Sequence, residues 1–203
     1  RAQTHLGSHL MYHAIVEAAR NIKSGKSDSE AEKQLGDFLQ KLSEASVDSR
    51  VFVFGSAFGG TGASSIPVLP NAFQAAVRII SPGNSLDLGK LKFGSTLLTE
   101  YFSFKKPTQL QQSSSENSVV ADSSFFSLNS QAALQFYHTD PTVRKLYKRF
   151  YHIGWPTESE NLSKGESQTI TGGDKQKNPA HVLELMSACA ALDFFGLRLE
   201  ELQ

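Results

Sequence analysis

The fold is decided by the segment Val51-Phe52-Val53-Phe54-Gly55-Ser56-Ala57-Phe58-Gly59-Gly60-Thr61-Gly62-Ala63-Ser64. Its first four residues are β-branched or aromatic, which predicts a short buried strand. The loop that follows contains Gly59, Gly60 and Gly62 and leads into small residues that can begin a helix. Glycine lets the backbone approach a ligand closely, and the N–H groups of a first helical turn lack acceptors. This order of elements therefore predicts a phosphate-binding loop.

The loop does not fit three other common motifs. No lysine follows it, as a Walker A motif requires. The serine of Gly55-Ser56-Ala57-Phe58-Gly59 comes one place too early for a hydrolase nucleophile. Neither the glycine spacing nor the acidic residue of a dinucleotide site is present. The alternative is a tight turn without a ligand, but a plain turn would not need the conformational entropy that three glycines cost.

Hydrophobic spacing on either side of the loop predicts alternating helices and strands. Residues 1–8 are predicted to be a loop. Helices are predicted over 9–23, from a capping box at Ser27 and Glu30 to before Val47, over 63–80, over 125–136 with Ser127 or Asn129 as cap, and from Asn178 onward. Strands are predicted over 50–54, 91–104 and 149–154, with a short turn or helix from Asp140-Pro141. The polar stretches 107–124 and 157–177 are predicted to be mobile loops.

This alternation predicts an α/β fold, three-layer and Rossmann-like, with a mostly parallel sheet and helices on both faces. The last helix is apolar on most of its surface, so it is expected to be buried, with Cys189 as an inert thiol.

Composition excludes several classes of protein. The chain has 203 residues, with 20 basic and 20 acidic side chains, so it lacks the charge expected for nucleic acid or an anionic membrane. A single cysteine excludes an internal disulfide and a cysteine-based zinc site. No signal peptide and no apolar run of about 20 residues is visible, which predicts a cytoplasmic protein. His5, His9 and His13 have the spacing of metal ligands but lack a partner, so no metal site is predicted.

The segment Phe58-Gly59-Gly60-Thr61-Gly62-Ala63-Ser64 resembles the phosphate loop of the tubulin/FtsZ superfamily. It keeps the central Gly-Gly-Thr-Gly-Ala and departs from the family pattern at Phe58 and Ser64. Four further matches follow the family's order: Thr4-His5-Leu6-Gly7, Ile66-Pro67, Thr99-Glu100-Tyr101-Phe102-Ser103-Phe104, and the long helix from Asn178. The first resembles a turn facing the terminal phosphate, and the last resembles the core helix whose start lies near the base.

The resemblance implies that residues 1–203 are part of a nucleotide-binding domain, without its N-terminal portion and without the C-terminal domain. It implies binding of GTP or GDP, with Mg²⁺ as a candidate companion, and self-association into an oligomer or filament. The implied binding residues are Gly59, Gly60, Thr61, Gly62, Ala63, Ser64, His5 and Asn178. Hydrolysis would need an acidic loop from a neighbouring subunit, so no catalytic residue is predicted in this chain.

Two alternatives stay open. Lys105-Lys106 stand where the FtsZ branch has Glu-Gly, whose glutamate contacts ribose. This departure, with those at Phe58 and Ser64, favours a non-catalytic scaffold that keeps the fold. The other alternative is an unrelated α/β protein that binds a different phosphorylated small molecule.

Overall fold

The computed structural model describes residues 4–27, 29–45, 49–83, 87–88, 90–101, 124–154 and 181–202. Its elements, in chain order, are α1 (Thr4–Lys23), α2 (Glu30–Ser43), β1 (Arg50–Val53), α3 (Gly60–Ser65), α4 (Leu69–Ile80), β2 (Lys92–Leu98), α5 (Phe126–Thr139), α6 (Pro141–Leu146), β3 (Tyr147–Ile153), α7 (Val182–Gly196) and a 3₁₀ turn (Leu199–Leu202). The predicted loops 107–124 and 157–177 fall outside the described residues, apart from Ser124.

The described strands form one parallel sheet in the order β1-β2-β3. β2 lies in the middle, and its five interior residues are buried, the polar Ser95 and Thr96 among them. Because all three strands run the same way, their carboxyl ends meet at one edge of the sheet. The α/β class and the parallel strands predicted from sequence are confirmed at this level.

The side chains on the two faces of β2 pack into two different apolar clusters. Phe93 and Leu97 pack into the larger cluster with buried side chains from α1, α2 and α4. Leu98 packs against the smaller cluster, which contains Ile153 and the α7 residue Leu183. Gly94 shows how closely α7 approaches the sheet, since a Cβ placed there would lie 2.8 Å from the ring of Phe194. The space beside β2 is therefore filled by an aromatic ring of the last helix.

Two predicted helix starts were wrong. α1 begins at Thr4 rather than at residue 9, because its first turn packs against α3, where a Cβ on Gly7 would lie 2.8 Å from Ser64 Oγ. The cap of α2 is Ser29, which has extended backbone and accepts a hydrogen bond from the Glu32 N–H. Ser27 was predicted instead, since a glutamate follows each serine by three residues.

Two further predictions also need correction. β2 ends at Leu98, well short of residue 104, and residues 102–104 lie outside the described ranges with Lys105-Lys106. α5 has no side-chain cap, and Ser127 and Asn129 lie inside the helix. Asp140 does cap α6 by accepting from the Val143 N–H, so of the short turn or helix predicted at that point the structure has the helix.

The last helix is less buried than its composition indicates. α7 begins at Val182 with His181 as N-cap and Glu184 completing a capping box, while the predicted cap Asn178 lies outside the described residues. Only the face with Leu183, Ala190 and Phe194 turns inward. The other face is exposed, with Leu192 74% and Leu185 65% accessible, and Cys189 is exposed as well. The predictions of a buried helix and a buried thiol were therefore wrong, because the sheet covers one side of α7 only.

Candidate functional site

The glycine loop leaves β1 at the carboxyl edge of the sheet and enters α3. Gly59 is the N-cap of this helix, with extended backbone (φ −92°, ψ 157°) and no side-chain capping bond. No described residue accepts a hydrogen bond from the N–H groups of Gly60, Thr61 or Gly62. Three consecutive backbone donors at a helix start form a local positive potential that suits an anion.

The loop folds back on itself at Gly62. A Cβ at this position would lie 2.4 Å from the Ser56 carbonyl oxygen and 2.6 Å from the Ser56 nitrogen. Both of these are backbone atoms, so no side-chain rotation could relieve the contact. Glycine is thus required at residue 62 by the course of the chain, independently of any ligand.

The end of β2 anchors the other side of the loop. The Ala57 N–H donates to the Leu98 carbonyl at 2.7 Å, and the Leu98 N–H donates to the Gly55 carbonyl at 3.1 Å. The Thr96 hydroxyl, which is fully buried, accepts from the Gly55 N–H at 3.0 Å. The residues between β1 and the glycines are therefore fixed to the central strand.

Side chains from three other elements hold carbonyl groups of the loop and α3. These donors are Ser8 of α1 to Ser64 O (2.6 Å), Asn129 of α5 to Phe58 O (3.2 Å), Tyr137 of α5 to Ala63 O (3.0 Å) and Tyr147 of β3 to Ile66 O (2.6 Å). The hydroxyls of Ser64 and Ser65 both donate to Thr61 O. Sequence reasoning missed all of these contacts. These carbonyl oxygens of the loop and α3 are thus engaged, whereas the first amide groups of α3 have no acceptor among the described residues.

The predicted site residues divide into three groups. Residues 59–64 form one continuous loop and helix start, in which Thr61 is exposed and Ala63 and Ser64 are buried. His5 is exposed in the first turn of α1, beside the Gly7 and Ser8 positions that contact α3. Asn178 lies outside the described residues. The structure therefore brings the loop and the start of α1 to one corner of the sheet.

Phe58 belongs to an aromatic cluster beside the glycine loop. The Phe58 side chain is buried, and its ring centroid lies 4.7 Å from that of Phe126 and 6.2 Å from that of Tyr101. The Tyr101 ring centroid lies 4.9 Å from that of His181, and the Tyr101 hydroxyl donates to Glu184 Oε1 at 3.3 Å. Burial, with Glu184 nearby, raises the pKa of the Tyr101 hydroxyl. The cluster connects the glycine loop to the start of α7, the helix expected to border the site.

Two of the evenly spaced histidines of α1 lie side by side. His9 and His13 lie with ring centroids 4.3 Å apart on the surface of α1. Among the residues that the structure places, no three histidine, cysteine or carboxylate side chains come together as a metal site would require. Within the same ranges, no helix has both the length and the apolar sequence to cross a bilayer.

Comparison with known proteins adds nothing to this geometry. No protein-family model, curated protein or solved structure matches the chain.

Proposed function

We propose that this chain binds a nucleoside triphosphate, GTP in the first place, through the glycine loop at residues 59–64. The observation that carries the proposal is the set of three amide N–H groups, of Gly60, Thr61 and Gly62, that no described residue accepts. They lie at the carboxyl edge of a parallel sheet, which is where open α/β sheets bind their ligands. Phosphate oxygens would accept these hydrogen bonds and gain from the partial positive charge of the helix start.

The start of α1 supports this choice of ligand class. The resemblance to tubulin and FtsZ implies that the turn Thr4-His5-Leu6-Gly7 faces the terminal phosphate. In the structure residues 4–7 are the first turn of α1, and this start packs against α3: Ser8 donates to Ser64 O, and a Cβ at Gly7 would meet Ser64. By the same resemblance, His5 would contact the terminal phosphate, and Asn178, which lies outside the described residues, would contact the nucleotide near its base.

The backbone does most of the proposed binding. The Ser64 hydroxyl already donates to Thr61 O, so Ser64 and the buried Ala63 contribute through their place in the helix rather than through free side-chain donors. The exposed Thr61 hydroxyl can add one bond. No carboxylate of the chain is assigned a catalytic role. Hydrolysis is proposed only for an intact, assembled protein. That protein would have a Rossmann-like three-layer domain, act in the cytoplasm and bind Mg²⁺ together with the nucleotide.

Fluorescent GTP and ATP analogues, titrated into the protein, test the proposal. A carboxylate at the anion site should repel phosphate, so Gly60→Asp is expected to weaken GTP binding at least about tenfold, which is 1.4 kcal/mol. Gly83→Asp is the matched control, because residue 83 lies in an exposed turn with nothing within 4 Å of its Cβ position. Failure of the unsubstituted protein to bind either nucleotide would reject the proposal.

A second candidate is a non-catalytic scaffold of the same fold. The buried Phe58 and the internally bonded Ser64 favour it, because both alter the loop that the family uses for its ligand. Sedimentation of assembled protein with and without GTP separates the two functions. If equal amounts of protein sediment with and without GTP, the scaffold is supported. If the protein sediments only with GTP, the first proposal is supported. Binding of a sugar phosphate without nucleotide binding would favour the unrelated α/β protein.

A further inference from the structure

The helix that follows the glycine loop is interrupted by two prolines. α3 ends at Ser65, the chain turns through residues 66–68, and α4 begins at Leu69 with Pro70 in its first turn. In a continuous helix the Ala63 carbonyl would accept from the N–H of residue 67, and the Ile66 carbonyl from that of residue 70. Both positions are proline, which has no N–H group. Two carbonyl groups therefore lose their helical donors.

Two tyrosine hydroxyls bond to these two carbonyl groups. Tyr137 donates to Ala63 O at 3.0 Å, and Tyr147 donates to Ile66 O at 2.6 Å. The tyrosines are only 3% and 4% exposed, so water does not readily replace them. A buried carbonyl without a donor is costly, and each hydroxyl removes that cost at the position where a proline created it.

The tyrosine rings are themselves held in place. The Phe150 ring stacks on both, with centroid distances of 5.8 Å to Tyr137 and 4.9 Å to Tyr147 and interplanar angles of 15° and 25°. Burial raises the pKa of both hydroxyls, which keeps them protonated and able to donate. The donors thus come from a rigid aromatic stack on α5 and β3.

We propose that Tyr137 and Tyr147 are positioning residues for the phosphate loop. Resting on the proposed function, this inference assigns to them the orientation of α3. A helix of six residues has little stability of its own, so its direction must be set by contacts with the rest of the protein. The prolines separate α3 from α4, and the two hydroxyls fix the separated helix so that its first amide groups face outward from the sheet edge.

The pairing of each tyrosine with one proline is tested by double-mutant cycles. Tyr147→Phe is expected to lower the folded-to-unfolded ratio about tenfold, because it leaves the Ile66 carbonyl buried without its donor. The Pro70→Ala background restores an N–H at residue 70. In this background Tyr147→Phe should lower the folded-to-unfolded ratio by clearly less than tenfold. In a Pro67→Ala background Tyr147→Phe should still lower the ratio about tenfold, because the carbonyl that Pro67 leaves without a donor bonds to Tyr137. Equal losses in all three backgrounds would overturn the pairing.

The positioning role is tested by GTP affinity and by amide exchange, both measured on folded protein. Tyr147→Phe and Tyr137→Phe are each expected to weaken GTP binding about tenfold. Each should also speed exchange, by a similar factor, at the Ala63 amide of α3 and at the Ile66 amide that follows the helix. Tyr151→Phe is the matched control, because it removes a hydroxyl that donates to the exposed Asp193 on α7, away from the loop.

The outcomes separate the two claims. Should the unsubstituted protein bind no nucleotide, the proposed function fails, and the exchange rates alone decide whether the hydroxyls orient α3. Should it bind GTP while both phenylalanine variants keep its affinity and its exchange rates, the positioning role is rejected. If Tyr147→Phe does not fold, Tyr137→Phe carries the same measurements.

Discussion

Replacement of Gly62 by alanine should damage the fold more than the same change elsewhere in the loop. The new Cβ would lie 2.4 Å from the Ser56 carbonyl oxygen, and real contacts of this kind stay above 3.0 Å, so the backbone must move by about 0.6 Å. Ser56 resists that movement, because hydrogen bonds from the Leu98 N–H to Gly55 and from the Ala57 N–H to Leu98 flank it. Overpacking at roughly 1–3 kcal/mol and one weakened hydrogen bond at about 1 kcal/mol give an expected loss of about 2–4 kcal/mol.

Urea denaturation followed by circular dichroism measures this loss, and Gly59→Ala is the control. A Cβ on residue 59 meets only the Ser56 hydroxyl, at 3.1 Å, and a hydroxyl can rotate away. The negative φ of Gly59 suits alanine, so the net change should stay within about 1 kcal/mol. If the two variants unfold at the same urea concentration, the steric explanation of Gly62 is wrong.

Three further outcomes follow from the packing. Gly94→Ala should lower the free energy of unfolding, measured with urea, by about 1–3 kcal/mol, because its Cβ would meet the buried Phe194 ring. The double variant with Phe194→Ala should lose less than the sum of the two single losses. The raised pKa values of Tyr137 and Tyr147 mean that the unfolded chain, with hydroxyl pKa values of about 10, releases these protons first. The free energy of unfolding should therefore be undiminished below pH 10 and fall above it, by up to about 1.4 kcal/mol per pH unit for each tyrosine, and Tyr137→Phe should reduce the slope. Cys189 is exposed, so its thiol should react with a disulfide reagent without denaturant, and protection of the native thiol would contradict the placement of α7.

Elements whose signal is local were predictable from the sequence. The strand at residue 50 and the helix faces containing Leu39 and Leu42 follow from hydrophobic spacing within one element. The cap of α2 shows the limit of such signals, because Ser27 and Ser29 each precede a glutamate by three residues. Only the backbone conformation chooses between them.

Features that depend on distant partners were not predictable in the same way. The burial of α7 depends on how much of it the sheet covers, and an all-round apolar sequence carries no information on that. The hydroxyls that hold α3 come from residues 74 and 81 positions away in sequence. The sequence predicted one helix over 63–80 where the structure has α3 and α4, and nothing local identified the tyrosines that bond to the carbonyl groups left by Pro67 and Pro70.

The same dependence on distant contacts governs how the protein can fold during its synthesis. Arg50, the first residue of β1, donates from Nη1 to the carbonyl oxygens of Phe194 and Phe195 at the end of α7, at 2.8 and 3.1 Å. These partners follow it by 144 and 145 residues. At a translation rate of roughly 5–20 residues per second, they are made about 7–30 s later. Throughout that interval β1 lacks the hydrogen bonds from Arg50 to α7, and Gly94 lacks its contact with the Phe194 ring. The face of the sheet that packs against α7 therefore stays without this helix until α7 has been made.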